Sequence, residues 1–164
     1  MQNRQRTKSH KQPTTYSAFD TAIYYLTFRD RSRKELCDKL TEKGYAEAEI
    51  TETIEKLMSY GYINDERYAT SYIRSQMRGK GRRRITMELS GKGVDSEMTR
   101  ELCTELVPDE AETIYDLLER RYGNLNFTDE GQMRRMYSFF ARRGFRYEDI
   151  RRAVSEYRKN IEKI

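Results

Sequence analysis

The sequence predicts an all-α protein made of three tandem three-helix repeats, and three observations predict it. One pattern recurs: an amphipathic helical turn, a basic residue, a glycine, a bulky apolar residue, then a second helical run. Its copies span Leu36 to Tyr45, Ile85 to Val94 and Met136 to Phe145, and their glycines, Gly44, Gly93 and Gly144, fall 49 and 51 residues apart. A period near fifty marks one supersecondary unit used in series, and such arrays present an extended surface to a large partner. Apolar residues recur at helical spacing throughout, with no sustained strand pattern. Hydrophobic and charged residues each make up 36% of the chain, which suits small helical units with narrow apolar stripes better than one thick core.

The glycines are expected to stop helices. Glycine adopts the left-handed conformation at C′ without steric cost, and the next residue then packs back on C3, five positions earlier. Those pairs read Tyr45 with Leu40, Val94 with Leu89 and Phe145 with Phe140, and a fourth stop at Gly61 pairs Tyr62 with Leu57. Lys43, Lys92 and Arg143 precede the repeat glycines and complement the negative end of the helix dipole.

Taken in order, residues 1–16 are basic and aperiodic and read as a disordered arm. The first helix runs from about Ser17 to Phe28 on Phe19, Ala22, Ile23 and Leu26. Ser32 and Glu35 form a capping box for the second, whose stripe is Leu36 and Leu40. The third carries Ile50, Ile54, Leu57 and Met58. Asn64 or Asp65 caps the fourth, with Ile63 and Tyr68 as a hydrophobic staple and Tyr68, Ala69, Tyr72 and Ile73 as its stripe. The fifth is Arg82 to Lys92. The sixth runs from about Asp95 to Leu106, with Met98, Leu102 and Leu106 inside. Pro108 at N1, followed by Asp109 and Glu110, opens the seventh on Ala111, Ile114, Tyr115 and Leu118. The eighth carries Met133, Met136, Tyr137 and Phe140, and the ninth Ile150, Val154, Tyr157 and Ile161. The expected division is an arm at 1–16 and repeats at 17–63, 64–107 and 108–164.

No stretch is apolar enough for a membrane span or an export signal, and Cys37 and Cys103 stand far apart, so a cytoplasmic protein with reduced thiols is expected. The net charge of +5 matters less than its distribution. Residues 1–16 carry +4, residues 74–92 hold seven basic residues and one acid, and residues 95–119 hold nine acids and one basic residue. Residues 134–158 then hold eight arginines against three acids. Alternating blocks predict faces of opposite sign, and hence docking on a surface that is itself charged.

Catalysis finds little support. His10 is the only histidine and lies in the arm; no Cys/His cluster has metal-ligand spacing. Gly79-Lys80-Gly81-Arg82 is too short for a nucleotide loop and lacks its Lys-Ser/Thr ending. No cofactor or metal is expected. Cys37 and Cys103 read as small semi-buried residues, and Asp109 with Glu110 as a helix N-terminal acid pair. The candidate partner-binding surface is the basic cluster Arg74, Arg78, Lys80, Arg82, Arg83, Arg84 and Lys92, with Arg142, Arg143 and Arg146 as a second set. Contact with phosphates or an acidic protein patch is the functional reading; an ordinary solvated face is the plain one. Gly44, Gly61, Gly93, Gly144, Asn64 and Asp65 are the structural motif residues.

Several segments, in order, resemble the RecX family of bacterial RecA regulators. They are Arg29-Asp30-Arg31-Ser32-Arg33-Lys34-Glu35-Leu36, Lys43-Gly44-Tyr45, Gly61-Tyr62-Ile63-Asn64-Asp65, Gly79-Lys80-Gly81 with Arg84-Ile85 and Glu88-Leu89, and Lys92-Gly93-Val94. The resemblance is dense over 20–94, while the third repeat agrees only in pattern. It implies an elongated, curved, all-helical, non-enzymatic protein of recombination and DNA repair. Such a protein lodges in the groove of the RecA–DNA filament, hinders its growth and depresses ATP hydrolysis and strand exchange. The expected partner is that filament, met by a monomer, with weak direct DNA binding left open. The alternative is a sequence-independent DNA-binding protein of tandem three-helix modules. Its base-reading helices would need Asn, Gln or Arg at their starts, which Arg82, Arg83 and Arg84 supply and Ser32 and Thr128 do not.

Overall fold

The structure, a computed structural model, describes residues 16–107 and 109–162. Among them the regular structure is nine α-helices and no strand: α1 (Ala18–Phe28), α2 (Arg33–Lys43), α3 (Glu47–Ser59), α4 (Asp65–Gln76), α5 (Arg82–Gly91), α6 (Ser96–Leu106), α7 (Glu110–Tyr122), α8 (Glu130–Arg142) and α9 (Tyr147–Ile161). No helix of the described residues is long and apolar enough to cross a membrane. The arm expected at 1–16 lies outside the described residues except for Tyr16, and so does Pro108. The chain divides between Asn64 and Asp65 into two compact units.

In the first unit α1, α2 and α3 pack pairwise around Ala18, Ala22, Leu36, Leu40, Ile50, Ile54, Leu57 and Ile63. Ser17 caps α1 by accepting from Asp20 N at 3.1 Å. The capping box of α2 is complete: Ser32 Oγ accepts from Glu35 N (3.1 Å) and the Glu35 carboxylate accepts from Ser32 N (3.2 Å). The Tyr45 hydroxyl donates to the Tyr16 carbonyl at 2.7 Å and shares a 2.6 Å hydrogen bond with Thr21, which fastens the start of α1 to the end of α2. One stripe differs from expectation. Met58 is 48% exposed, and Thr53 is buried in its stead. At 100° per residue, these two flank the Ile50–Ile54–Leu57 line at about 70° on either side, so periodicity alone does not choose between them.

The second unit holds two cores. Tyr68, Ala69, Ile73, Ile85, Leu89, Val94, Cys103 and Val107 fill the space among α4, α5 and α6. Ile63 belongs to the first unit's core and Tyr68 to this one, so each end of the expected staple is buried in its own cluster. Along α6 the fully buried line is Thr99 and Cys103, while Met98, Leu102 and Leu106 are half-buried around it. The helix packs on both α4 and α5, so a wide face turns inward and small residues occupy its centre. The Thr99 hydroxyl donates to the Asp95 carbonyl at 2.7 Å, which removes the cost of burying it. Cys103 is thus fully buried rather than semi-buried, and burial pushes its thiol pKa up. The other core gathers Ala111, Ile114, Leu118, Met136, Phe140, Phe145, Ile150, Ala153, Val154 and Tyr157 from α7, α8 and α9. Ile161 is exposed because the last turn of α9 runs beyond this cluster. Asp129, not Thr128, caps α8, accepting from Gln132 N at 3.0 Å.

Candidate docking surface

All four helix stops share one geometry. Gly44, Gly61, Gly93 and Gly144 have φ of 91°, 71°, 77° and 86°, and no other described residue has a positive φ. In each, the residue after glycine donates to the carbonyl five positions back: Tyr45 to Leu40 (3.3 Å), Tyr62 to Leu57 (2.9 Å), Val94 to Leu89 (3.1 Å) and Phe145 to Phe140 (3.3 Å). The glycine N–H donates three positions back, to Thr41, Met58, Ser90 and Ala141. This paired pattern is the Schellman motif. α4 begins at Asp65, which leaves Asn64 in the capping position.

The stop at Gly144 does more than end α8, because it abuts the start of α5. A Cβ on Gly144 would meet the Arg84 backbone, and one on Gly81 would meet the backbone of Gly144 and Phe145, all under 3 Å. Gly81 N donates to the Arg143 carbonyl at 2.9 Å, and the Arg143 guanidinium donates to the Gly79 carbonyl at 2.9 Å while lying 4.3 Å over the Phe139 ring. Arg82 closes the junction from the other side: its N–H donates to the Glu110 carboxylate and its guanidinium to the Val107 carbonyl. Glu110 is therefore no simple dipole acid. It is 4% exposed and ties the first turn of α7 to that of α5, with its pKa raised by burial against the pull of Arg82.

Glu88 organises the outer flank of α5. It accepts from Lys80 Nζ (2.7 Å), Arg84 Nε (2.7 Å) and the Tyr72 hydroxyl (2.7 Å). Burial alone would raise its carboxyl, but hydrogen bonds from Lys80, Tyr72 and Arg84 outweigh it and hold the pKa at about 2. Burial first, then the bond to Glu88, pushes the Tyr72 phenol up. Lys92 sits 5.7 Å over the Tyr72 ring.

The basic cluster that is contiguous in sequence therefore divides in space. Lys80, Arg82, Arg84 and Arg143 are engaged in contacts that hold the unit together. Arg74, Arg78, Arg83, Arg142 and Arg146 are exposed and form no ion pair among the described residues. Arg83 and Arg146, with Arg82, line an open groove of about 500 Å³ that also takes in Thr86, Met87 and Ser90 of α5 and Ser96, Arg100 and Thr104 of α6. Arg100 was hidden in the sequence as the one basic residue of an acidic block. The signal that finds it is the small polar ridge Ser96–Arg100–Thr104 at i, i+4 and i+8, one position from the buried Thr99–Cys103 line.

Known proteins resemble this chain over most of its length. Residues 18–57, 64–101 and 108–154 match, in order, the family models described as the first, second and third three-helix domains of RecX. A regulatory protein RecX of Vibrio vulnificus (strain CMCP6) is 34% identical over 88% of this chain and 95% of its own length. One from Clostridium perfringens (strain SM101 / Type A) is 34% identical over 72% of this chain, which spans only 58% of that longer protein. The crystal structure of RecX from Lactobacillus salivarius superposes with a TM-score of 0.74 at 29% identity, over 85% of this chain and 94% of that one.

Proposed function

Because the chain belongs to the RecX family of regulatory proteins, we propose that it docks on the RecA–DNA filament and slows RecA's ATP hydrolysis, filament growth and strand exchange. It works as a three-repeat protein (17–63, 64–107 and 108–164) without chemistry of its own. The observation that carries this reading is the ordered match of three successive domains across 18–154, joined to exposed arginines that the fold leaves uncommitted. In this reading the working surface comprises Arg74, Arg78, Arg83, Arg142 and Arg146, while Lys80, Arg82, Arg84 and Arg143 set the rigidity behind it. Charged docking of this kind weakens as salt rises. A base-reading module is disfavoured by Arg82, which such a helix would extend into a DNA groove but which here is tied to Val107 and Glu110.

The test is RecA's DNA-dependent ATPase with this protein added well below one copy per RecA. Slowing at that ratio supports filament docking. Slowing that needs stoichiometric protein and vanishes with excess DNA indicates competition for DNA instead.

A further inference from the structure

We infer that Glu110 serves as the N-cap of α5, supplied from the third repeat, and is thereby a positioning residue for the docking arginine Arg83. Gly81 holds the N-cap position of α5, with φ −76° and ψ 159°, and offers no side-chain cap. Ser, Thr, Asp or Asn is the usual residue there, because its side chain accepts from the first turn. None of them fits. A Cβ on Gly81 would lie under 3 Å from the Gly144 carbonyl and the Phe145 nitrogen. The close approach of the α8 stop thus excludes the side chain that α5 needs. The first turn also holds Arg82, Arg83 and Arg84 with no acid, the unfavourable sign for the positive end of a helix.

Glu110 supplies both missing functions. Its carboxylate accepts from the Arg82 N–H, the first amide of α5, and brings a negative charge to that end. The turn that carries it is rooted: Asp109 accepts from Ala111 N at 2.8 Å and from the Arg152 guanidinium of α9 at 2.7 Å. The start of α1 shows the contrast. Ala18 N donates to Glu49 of α3 at 3.1 Å, the same contact at the same helix position, yet Ser17 caps α1 as well. At α5 no N-cap side chain backs the glutamate. Arg83, exposed one residue further on, therefore takes its place from a residue of the next repeat. The docking turn of the second repeat is ordered only while the third repeat is seated against it.

The positioning role rests on the docking reading of Arg83, whereas the cap does not, and two experiments separate them. Amide hydrogen exchange of the full chain, without RecA, reads the cap at Arg84 and Ile85, whose N–H groups both donate to the Gly81 carbonyl at 3.1 Å. Glu110→Ala should speed their exchange on the order of tenfold, the usual effect of losing a cap. Glu110→Gln should stay within about threefold, because an amide oxygen still accepts and the burial that pushes the Glu110 carboxyl up no longer opposes a charge. Proline at the first helical position has no N–H to satisfy. On an Arg82→Pro background Glu110→Ala should therefore add nothing, while on Arg82→Ala, which keeps the N–H, it should still add about tenfold. Equal acceleration on the two backgrounds, or by Glu110→Gln as by Glu110→Ala, overturns the cap. If the alanine variant does not fold, Glu110→Gln alone decides: parental protection supports the cap and lost protection overturns it. In RecA's DNA-dependent ATPase, Glu110→Ala should need at least about twofold more protein than the parent, since a partly ordered turn binds in proportion to its ordered fraction. A parent that leaves RecA unslowed removes the docking reading, and the exchange result stands. A parent that slows RecA, with a folded but frayed Glu110→Ala equally effective, overturns the positioning role.

Discussion

The two flanks of α5 use the same residue type in opposite ways. Toward α7 and α8, Arg82 and Arg143 direct their guanidiniums to the backbone carbonyls of Val107 and Gly79, and Gly81 and Gly144 bring the start of α5 and the end of α8 into backbone contact. Toward α6, Arg83 and Arg100 stand in an open groove with no carboxylate among its lining. Adjacent arginines in a basic run thus divide into one that builds the unit and one left for a partner. Charge density in the sequence does not separate them; the backbone they reach does.

The largest way to break this contrast is through the glycines. Gly61→Ala and Gly144→Ala both put a Cβ at positive φ, 71° and 86°, but a Cβ on Gly61 meets nothing within 4 Å. Left-handed backbone alone costs about 1–2 kcal/mol, so Gly61→Ala should fall there. Gly144→Ala must also push the Arg84 backbone away, and should cost on the order of 3 kcal/mol or more. Urea unfolding midpoints of the two variants make the comparison. Equal losses would mean the α5–α8 junction is looser than its contacts.

The second effect is acid-dependent. Glu88 is held at about 2, below its ordinary 4.5, so it contributes stability that is fully present above about 4.5 and is lost as pH falls toward 2. At 1.36 kcal/mol per pKa unit the contribution is on the order of 3 kcal/mol. Glu88→Gln should therefore destabilise the protein at pH 7, and its deficit against the parent should shrink as pH drops through that window. A deficit that stays constant from pH 7 to pH 2.5 would detach the Lys80–Tyr72–Arg84 cluster from the carboxylate's charge.

A smaller pair tests the arginines directly. Arg82→Ala removes a hydrogen bond to a buried carbonyl and should cost about 1–3 kcal/mol. Arg83→Ala removes a solvated side chain and should stay within about 0.5 kcal/mol. Thermal melts that rank the two alike would erase the distinction between the flanks of α5.

What the sequence made legible was local. Each Schellman stop rests on glycine and an apolar pair five residues apart, and the Ser32–Glu35 box on a spacing of three, so periodicity and cap chemistry suffice for all nine helices. Threonine against Met58 on α3 was not decidable, because both flank the stripe symmetrically. On α6 the stripe lies one residue over, since contact with two neighbours is invisible in a single helix's period. The groove was legible by half: Arg82, Arg83 and Arg146 stood out in basic runs, whereas Arg100 sat among acids and joins them only when α6 packs beside α5. Glu110 read as a dipole acid because its partner, the Arg82 backbone, is 28 residues away.

In the proposed function, the exposed arginines that make no contact within the fold, rather than the total basic charge, carry docking on RecA. The most direct test is RecA's DNA-dependent ATPase with substoichiometric parent protein and with Arg78→Glu/Arg83→Glu, both first shown to melt alike. The parent should slow hydrolysis and the double variant should need at least about tenfold more protein for the same slowing, since like charge across a docked interface costs more than 1.4 kcal/mol. A folded double variant that inhibits as well as the parent contradicts the claim.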